Sequence, residues 1–139
     1  MKTAVFTHLP EDAALIRREV FIEEQGFINE FDDIDEKAVH ILMYDNDTPA
    51  AVCRVFYSEE HGQYVIGRIA VRREFRGKHL GAEIMRSAED EIRKLGGHTA
   101  GLSSQVQAMG FYEKLGYRPV GEQYMDEHCP HIRMEKELL

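Results

Sequence analysis

Apolar positions along this chain change their period several times, and each change marks an element. Lys2 to Thr7 reads as a short strand. Pro10-Glu11-Asp12 opens a helix, with proline in the first turn and acids where the helix dipole favours them. Ala13, Ile16, Val20 and Phe21 form its apolar face, and it breaks near Gly26. Residues 27 to 37 are acidic and irregular. Val39 to Tyr44 reads as a strand, Asp45-Asn46-Asp47-Thr48-Pro49 as a turn, and Ala50 to Tyr57 as the returning strand. Gly62 marks the next turn and Tyr64 to Val71 the third strand of this meander. Leu80, Ile84, Ala88, Ile92 and Leu95 then recur at helical spacing, and Gly96-Gly97 closes that long helix. Thr99 to Ser103 is a short strand and Gln105 to Leu115 a further helix, ended by Gly116. Tyr117 to Tyr124 and His131 to Met134 form a terminal strand pair. The order β-α-βββ-α-β-α-ββ predicts a mixed α/β (α+β) sandwich around one sheet.

Composition narrows the class. A chain of 139 residues fits one domain, 1–139. The formal net charge of −8 argues against nucleic acid and anionic membranes as partners, and is compatible with a cationic small substrate. Cys53 and Cys129 are too few for a disulfide framework and read as free thiols of a reducing compartment. The first residues lack the apolar run of a signal peptide, and no stretch approaches the ~20 apolar residues of a membrane span. The expected location is the cytoplasm.

Against this acidic background, Arg68, Arg72, Arg73, Arg76 and Lys78 crowd one short segment that runs from the third strand to the start of the long helix. Two readings stand: a polyanion site, or a solvated turn whose arginines pair with surface acids. A helix N-terminus offers free backbone N–H groups to phosphate, and Gly77 and Gly81 let an anion approach the backbone. No Gly-Lys-Ser/Thr loop and no Gly-x-Gly-x-x-Gly is present, so the phosphates are not held by the common nucleotide motifs.

Ile69-Ala70-Val71 followed by Arg76-Gly77-Lys78-His79-Leu80-Gly81 resembles the acyl-CoA signature of the GNAT superfamily of N-acetyltransferases, Arg/Gln-x-x-Gly-x-Gly/Ala. His79 departs from that pattern by replacing the middle glycine. Ala108-Met109-Gly110-Phe111-Tyr112-Glu113-Lys114-Leu115-Gly116-Tyr117 resembles the family's second signature, Ala-x-x-Phe-Tyr-x-x-x-Gly-Phe/Tyr. The resemblance covers the whole chain in element order, and implies a mixed, mostly antiparallel sheet flanked by helices. It also implies acetyl-CoA as cosubstrate and no metal. The pyrophosphate would rest on the turn from Arg76 to Gly81, the thioester carbonyl on the Val71 N–H, and the rest of the cosubstrate along Ile69, Ala70, Phe111 and Tyr112. The acceptor would be a small-molecule or peptide amine. Relatives are often dimers, which leaves a homodimer open.

The implied chemistry is direct attack of a primary amine on the thioester in a ternary complex. Tyr112 is the expected general acid for the departing thiolate; the competing reading is that it packs as core. The base is open: the Ile66-Gly67-Arg68 neighbourhood carries no acid, leaving a water chain or a loop group such as Glu24 or Asp35. Glu30, Asp32, Asp33, Asp35 and Glu36 would either attract a cationic acceptor or form a solvated loop. His128-Cys129-Pro130-His131 lacks further ligands at workable spacing for a metal, and nothing lowers the pKa of Cys53 to make it a nucleophile. A non-catalytic acyl-CoA sensor of the same fold is the alternative to an enzyme. A module binding other phosphorylated ligands is a third class.

Overall fold

A computed structural model describes residues 1–139. Seven strands form one sheet in the order β1-β2-β3-β4-β5-β7-β6. They are β1 (Lys2–Phe6), β2 (Val39–Asp45), β3 (Thr48–Ser58), β4 (Gln63–Val71), β5 (Thr99–Gln105), β6 (Arg118–Asp126) and β7 (Cys129–Glu137). Helices α1 (Glu11–Arg17), α2 (Leu80–Lys94) and α3 (Met109–Lys114) connect them. The expected order of elements holds. No helix is long and apolar enough to cross a membrane.

The sheet is covered on both faces because its middle strands are apolar on both. Ile41 and Met43 of β2 and Ala51, Cys53 and Val55 of β3 pack with Ile84, Met85, Ala88 and Ile92 of α2. The alternating residues Leu42 and Val52 pack with Ala13, Ile16 and Val20 on the opposite face. Burying each large apolar side chain stabilises the fold by about 1.5–3 kcal/mol. The Pro10 carbonyl starts α1 by accepting from the N–H groups of Ala13 and Ala14, both at 3.1 Å.

Three departures from the sequence reading matter for the site. The first helix does not run evenly to Gly26: after Arg17 it widens into a π-helical segment, Arg18–Glu24. The helix expected over Gln105–Leu115 is shorter, because β5 extends to Gln105 and a 3-10 turn, Val106–Ala108, precedes α3. Leu95, counted into the stripe of α2, is exposed.

Two irregularities shape the middle of the sheet. In a regular strand Ile66 and Ala70 would share a face, yet Ile66 joins the α2-side core and Ala70 the α1-side core. The register between β3 and β4 slips between Val52 and Arg54, and opposite that slip Arg68 takes φ 53. This β-bulge reverses the faces of the last residues of β4. The second irregularity is the one parallel pairing. β4 and β5 are matched only at Tyr64 with Ala100 and Val65 with Gly101. Beyond them β4 runs on to Val71 and β5 to Gln105 without pairing, so a gap opens in the sheet.

Candidate active site

Backbone groups and space meet in that gap. The Arg72 N–H donates to the Ala50 carbonyl at 2.9 Å, toward β3. Strand alternation therefore turns the N–H and C=O of Val71 the other way, toward the open side. There the Val71 carbonyl accepts from Arg76 Nε at 2.9 Å. A 3-10 turn, Arg73–Phe75, carries the chain over the strand end to α2. Gly77 (φ 80) and His79 (φ 63) both take left-handed backbone on the way. No side chain caps α2, so its first-turn N–H groups are free for an anion. A cavity of about 240 Å³ lies against that end, lined by Val71, Arg76, Gly77, His79, Gly81 and Phe111 among others.

A second cavity, about 180 Å³, lies in the gap and is lined from both faces of the sheet. Phe21 and Gln25 reach it from the α1 side, and Ala108 and Tyr112 from the α3 side. Arg68, Ile69, Ser103, Gln105 and His131 complete its wall. Phe111 and Tyr112 thus face different cavities from adjacent positions, with ring centroids 5.0 Å apart. A smaller pocket of about 70 Å³ shares Phe21, Arg68, Gln105 and His131, and adds Glu30, Asp126 and Glu127.

The acetyltransferase (GNAT) domain family matches residues 9–138. The chain belongs to the GNAT acetyltransferase family. A Bacillus subtilis relative that carries an acetyltransferase name is 36% identical over 127 residues, covering 88% of this chain and 85% of its own. ElaA of Escherichia coli is 30% identical over 131 residues, covering 89% of this chain and 84% of its own. The ElaA crystal structure superposes with a TM-score of 0.83 at 27% identity, over 98% of this chain and 99% of that one. An aminoglycoside 6'-N-acetyltransferase crystallised with coenzyme A shares the fold, with a TM-score of 0.79 at 16% identity over 100% and 98% of the two chains. The chain is therefore an acyltransferase of mixed, mostly antiparallel α/β architecture.

The residues expected to hold a GNAT cosubstrate fall into place unequally. Val71, Arg76, Gly77, His79, Leu80, Gly81 and Phe111 line the cavity at α2, and Ile69 and Tyr112 the cavity in the gap. The Ala70 side chain lies in the α1-side core, so only its backbone is available. Lys78 lines neither cavity; its ammonium sits over the Phe75 ring, 5.6 Å from the centroid.

The two glycines serve different ends. Gly77 has open space around it and is required by its positive φ. A Cβ on Gly81 would stand 3.0 Å from Phe111 Cζ, so its bare surface makes room for that ring rather than directly for an anion. His79 occupies a left-handed position where glycine is most at ease and histidine is among the better-tolerated substitutes.

The basic cluster is not one patch. Arg68 turns to the far side, where it pairs with Glu30 at 3.1 Å and Asp32 at 3.4 Å. Arg72 binds Glu19 at 2.9 Å and the Pro49 carbonyl at 3.0 Å. Arg76 grips Glu24 through both oxygens, at 2.7 and 2.8 Å. That bond lowers the Glu24 carboxyl below its ordinary range, which makes Glu24 a poor base.

The acidic run divides: Asp33 and Glu36 are exposed, while Glu30, Asp32 and Asp35 are tied into a network of arginines. Glu30 and Asp35 are buried. Arg17, fully buried, donates to Glu30 at 2.9 Å and to Asp35 at 2.7 and 3.1 Å. Arg54 donates to Asp32 at 2.6 Å and to Asp35 at 2.9 Å. Burial alone would raise the Asp35 carboxyl, but the hydrogen bond and charge of Arg17, with Arg54 behind them, hold it at about 2. Asp35 is therefore no base either. One signal could have exposed this network: Arg17 stands on the same helix face as Ala13, Ile16 and Val20, so a cation had to be buried and matched.

Tyr112 is nearly buried, and burial, with the Cys53 sulfur second, raises its hydroxyl above the ordinary phenol range. It therefore holds its proton throughout the neutral range. Tyr117, by contrast, gives its hydroxyl to Glu89 at 2.7 Å and is a core residue. Cys53 is fully buried and its thiol is pushed up by desolvation, which leaves it inert as a nucleophile.

Proposed function

We propose that this chain transfers an acetyl group from acetyl-CoA to a primary amine by direct attack in a ternary complex. The observation that carries the reading is a pair of neighbouring cavities, one at the uncapped N-terminus of α2 with Phe111 in its wall and one in the gap between β4 and β5 with the adjoining Tyr112 in its wall. The free N–H groups of α2 hold the pyrophosphate, and the Val71 N–H faces the thioester carbonyl and stabilises the developing oxyanion. Tyr112, kept protonated by burial, delivers its proton to the departing thiolate. The acceptor is a small-molecule or peptide amine that enters from the α1 side, past Phe21 and Gln25. The crystallised relative with coenzyme A supports the choice of cosubstrate. Two cysteines without a disulfide support a cytoplasmic setting.

Thiol release from acetyl-CoA over a panel of primary amines tests the reading. Amine-dependent release is the expected result. A rise in Tm with coenzyme A and no release with any amine would instead identify the non-catalytic sensor.

A further inference from the structure

We infer that His131 is the general base that takes the proton from the acceptor ammonium. The inference rests on the acetyltransferase reading above and deepens it. His131 stands on β7, opposite Gln105 of β5 and Tyr124 of β6, at the rim of the gap. Ile132 and Met134 of β7 pack on the α2 face, so His131 turns to the α1 face, where the acceptor enters. Its ring stacks on Tyr124 at 6.1 Å and meets the edge of Phe27 at 6.3 Å, which fixes the imidazole plane.

The tautomer follows from one bond. His131 Nδ1 lies 3.0 Å from the Cys129 carbonyl oxygen. A carbonyl only accepts, so Nδ1 carries the hydrogen and the Nε2 lone pair is free. Nε2 has no hydrogen-bond partner in the protein, and it is not among the polar atoms sealed from solvent. The residue lines both the cavity in the gap and the pocket beside it. Tyr112 shares the first of these cavities. An acid and a base of different chemistry therefore face one space from opposite faces of the sheet.

The protons balance. Nε2 takes one proton from the substrate ammonium and passes it to water. The neutral nitrogen then forms the C–N bond as the C–S bond breaks. The thiolate takes the Tyr112 proton, and the second N–H proton of the attacking nitrogen returns through water to the Tyr112 oxygen. The cavity that His131 shares with Tyr112 holds no carboxylate: Glu24 and Asp35 are ion-paired elsewhere, Glu30 is buried against Arg17 and Arg68, Glu127 accepts from the Ile28 and Asn29 N–H groups, and Asp126 lines only the pocket beside it. The titratable groups facing the imidazole are Arg68 on β4, Glu30 after the π segment, Asp126 and Glu127 at the β6–β7 turn, Tyr112 on α3 and Tyr124 on β6.

The test compares the wild-type protein with His131→Gln, using acetyl-CoA and the best amine of the panel. The expected result is a loss of about 10²-fold or more in kcat/KM at neutral pH, with acetyl-CoA affinity unchanged. The low-pH limb of the wild-type profile disappears in the variant. Its rate recovers as pH approaches the amine's own pKa, about 10, where no base is needed. An unchanged rate and pH profile, or a raised KM alone, overturns the assignment while leaving the acetyltransferase intact. A wild type without turnover on any amine overturns both. If the variant does not fold, nitrogen-15 histidine spectra of the wild type decide: an Nδ1–H tautomer that shifts when the amine binds supports the base, and an Nε2–H tautomer overturns it.

Discussion

The turn between β4 and α2 and the segment between α1 and β2 border the same gap, but they are built by opposite means. The turn from Val71 to Gly81 works through its backbone. It has two left-handed residues, an uncapped helix end, and a carbonyl held by Arg76. The segment from Gly26 to Ala38 works through side chains. Glu30, Asp32 and Asp35 converge on Arg17, Arg54 and Arg68 from α1 and β4 and from β3 between them. A backbone site tolerates a change of side chain wherever φ allows it. A buried charge network tolerates almost none, because each missing partner strands another ion.

Arg17→Ala should give the largest effect. It takes one of the two cationic partners from each of the buried carboxylates, leaving Glu30 with Arg68 and Asp35 with Arg54, and should cost about 3–5 kcal/mol, read by denaturant unfolding. A loss below about 1 kcal/mol would place this network with ordinary surface pairs. Tyr112→Phe comes next. The rate of acetylation should fall by about 10²-fold while coenzyme A affinity is kept, because the ring still packs beside Phe111 and Tyr117. Unchanged turnover would return Tyr112 to the core.

A third test is the acid limb of stability. The Asp35 carboxyl is held at about 2, below its ordinary 3.8. Its contribution is therefore whole above about pH 4 and is lost as pH falls toward 2. Glu30 runs the other way: burial raises its carboxyl, so its proton is favoured in the folded state and its share of stability falls as pH rises. Tm against pH in Asp35→Asn should be flatter between about pH 4 and 2 than in the wild type. The smallest effect is expected from His79→Gly. Relief of the left-handed strain and the added freedom of glycine nearly offset, within about 1 kcal/mol. Coenzyme A affinity should be unchanged, since the N–H at this position serves either residue. Weaker binding would show that the imidazole itself touches phosphate.

The same contrast explains what could be read before the structure. Gly77 and the spacing from Arg76 to Gly81 are local, and local backbone demands leave local marks in a sequence. The strand order of the meander and the apolar stripe of α2 were legible for the same reason. The counter-ions of Arg17 lie 13 and 18 residues away, and Arg54 and Arg68 belong to other strands, so no window along the chain contains the network. His131 was visible only as one of several metal-capable side chains. Its meaning depends on a carbonyl two residues back and on a gap made by β4 and β5. The bulge at Arg68 was hidden because a strand's face is read from alternation, and a bulge is the place where alternation stops.

The gap has a consequence for the sheet as a material. Only two residue pairs stitch β4 to β5, while every other neighbouring pair of strands is matched over a longer register. Amide protons on β5, β7 and β6 should therefore exchange with solvent as one block, ahead of those on β2 and β3. A ligand seated in the gap acts as mortar between the two halves. The free energy protecting that block should rise with ligand concentration as RT ln(1 + [L]/Kd), so exchange from β5, β7 and β6 reports on the occupancy of the gap.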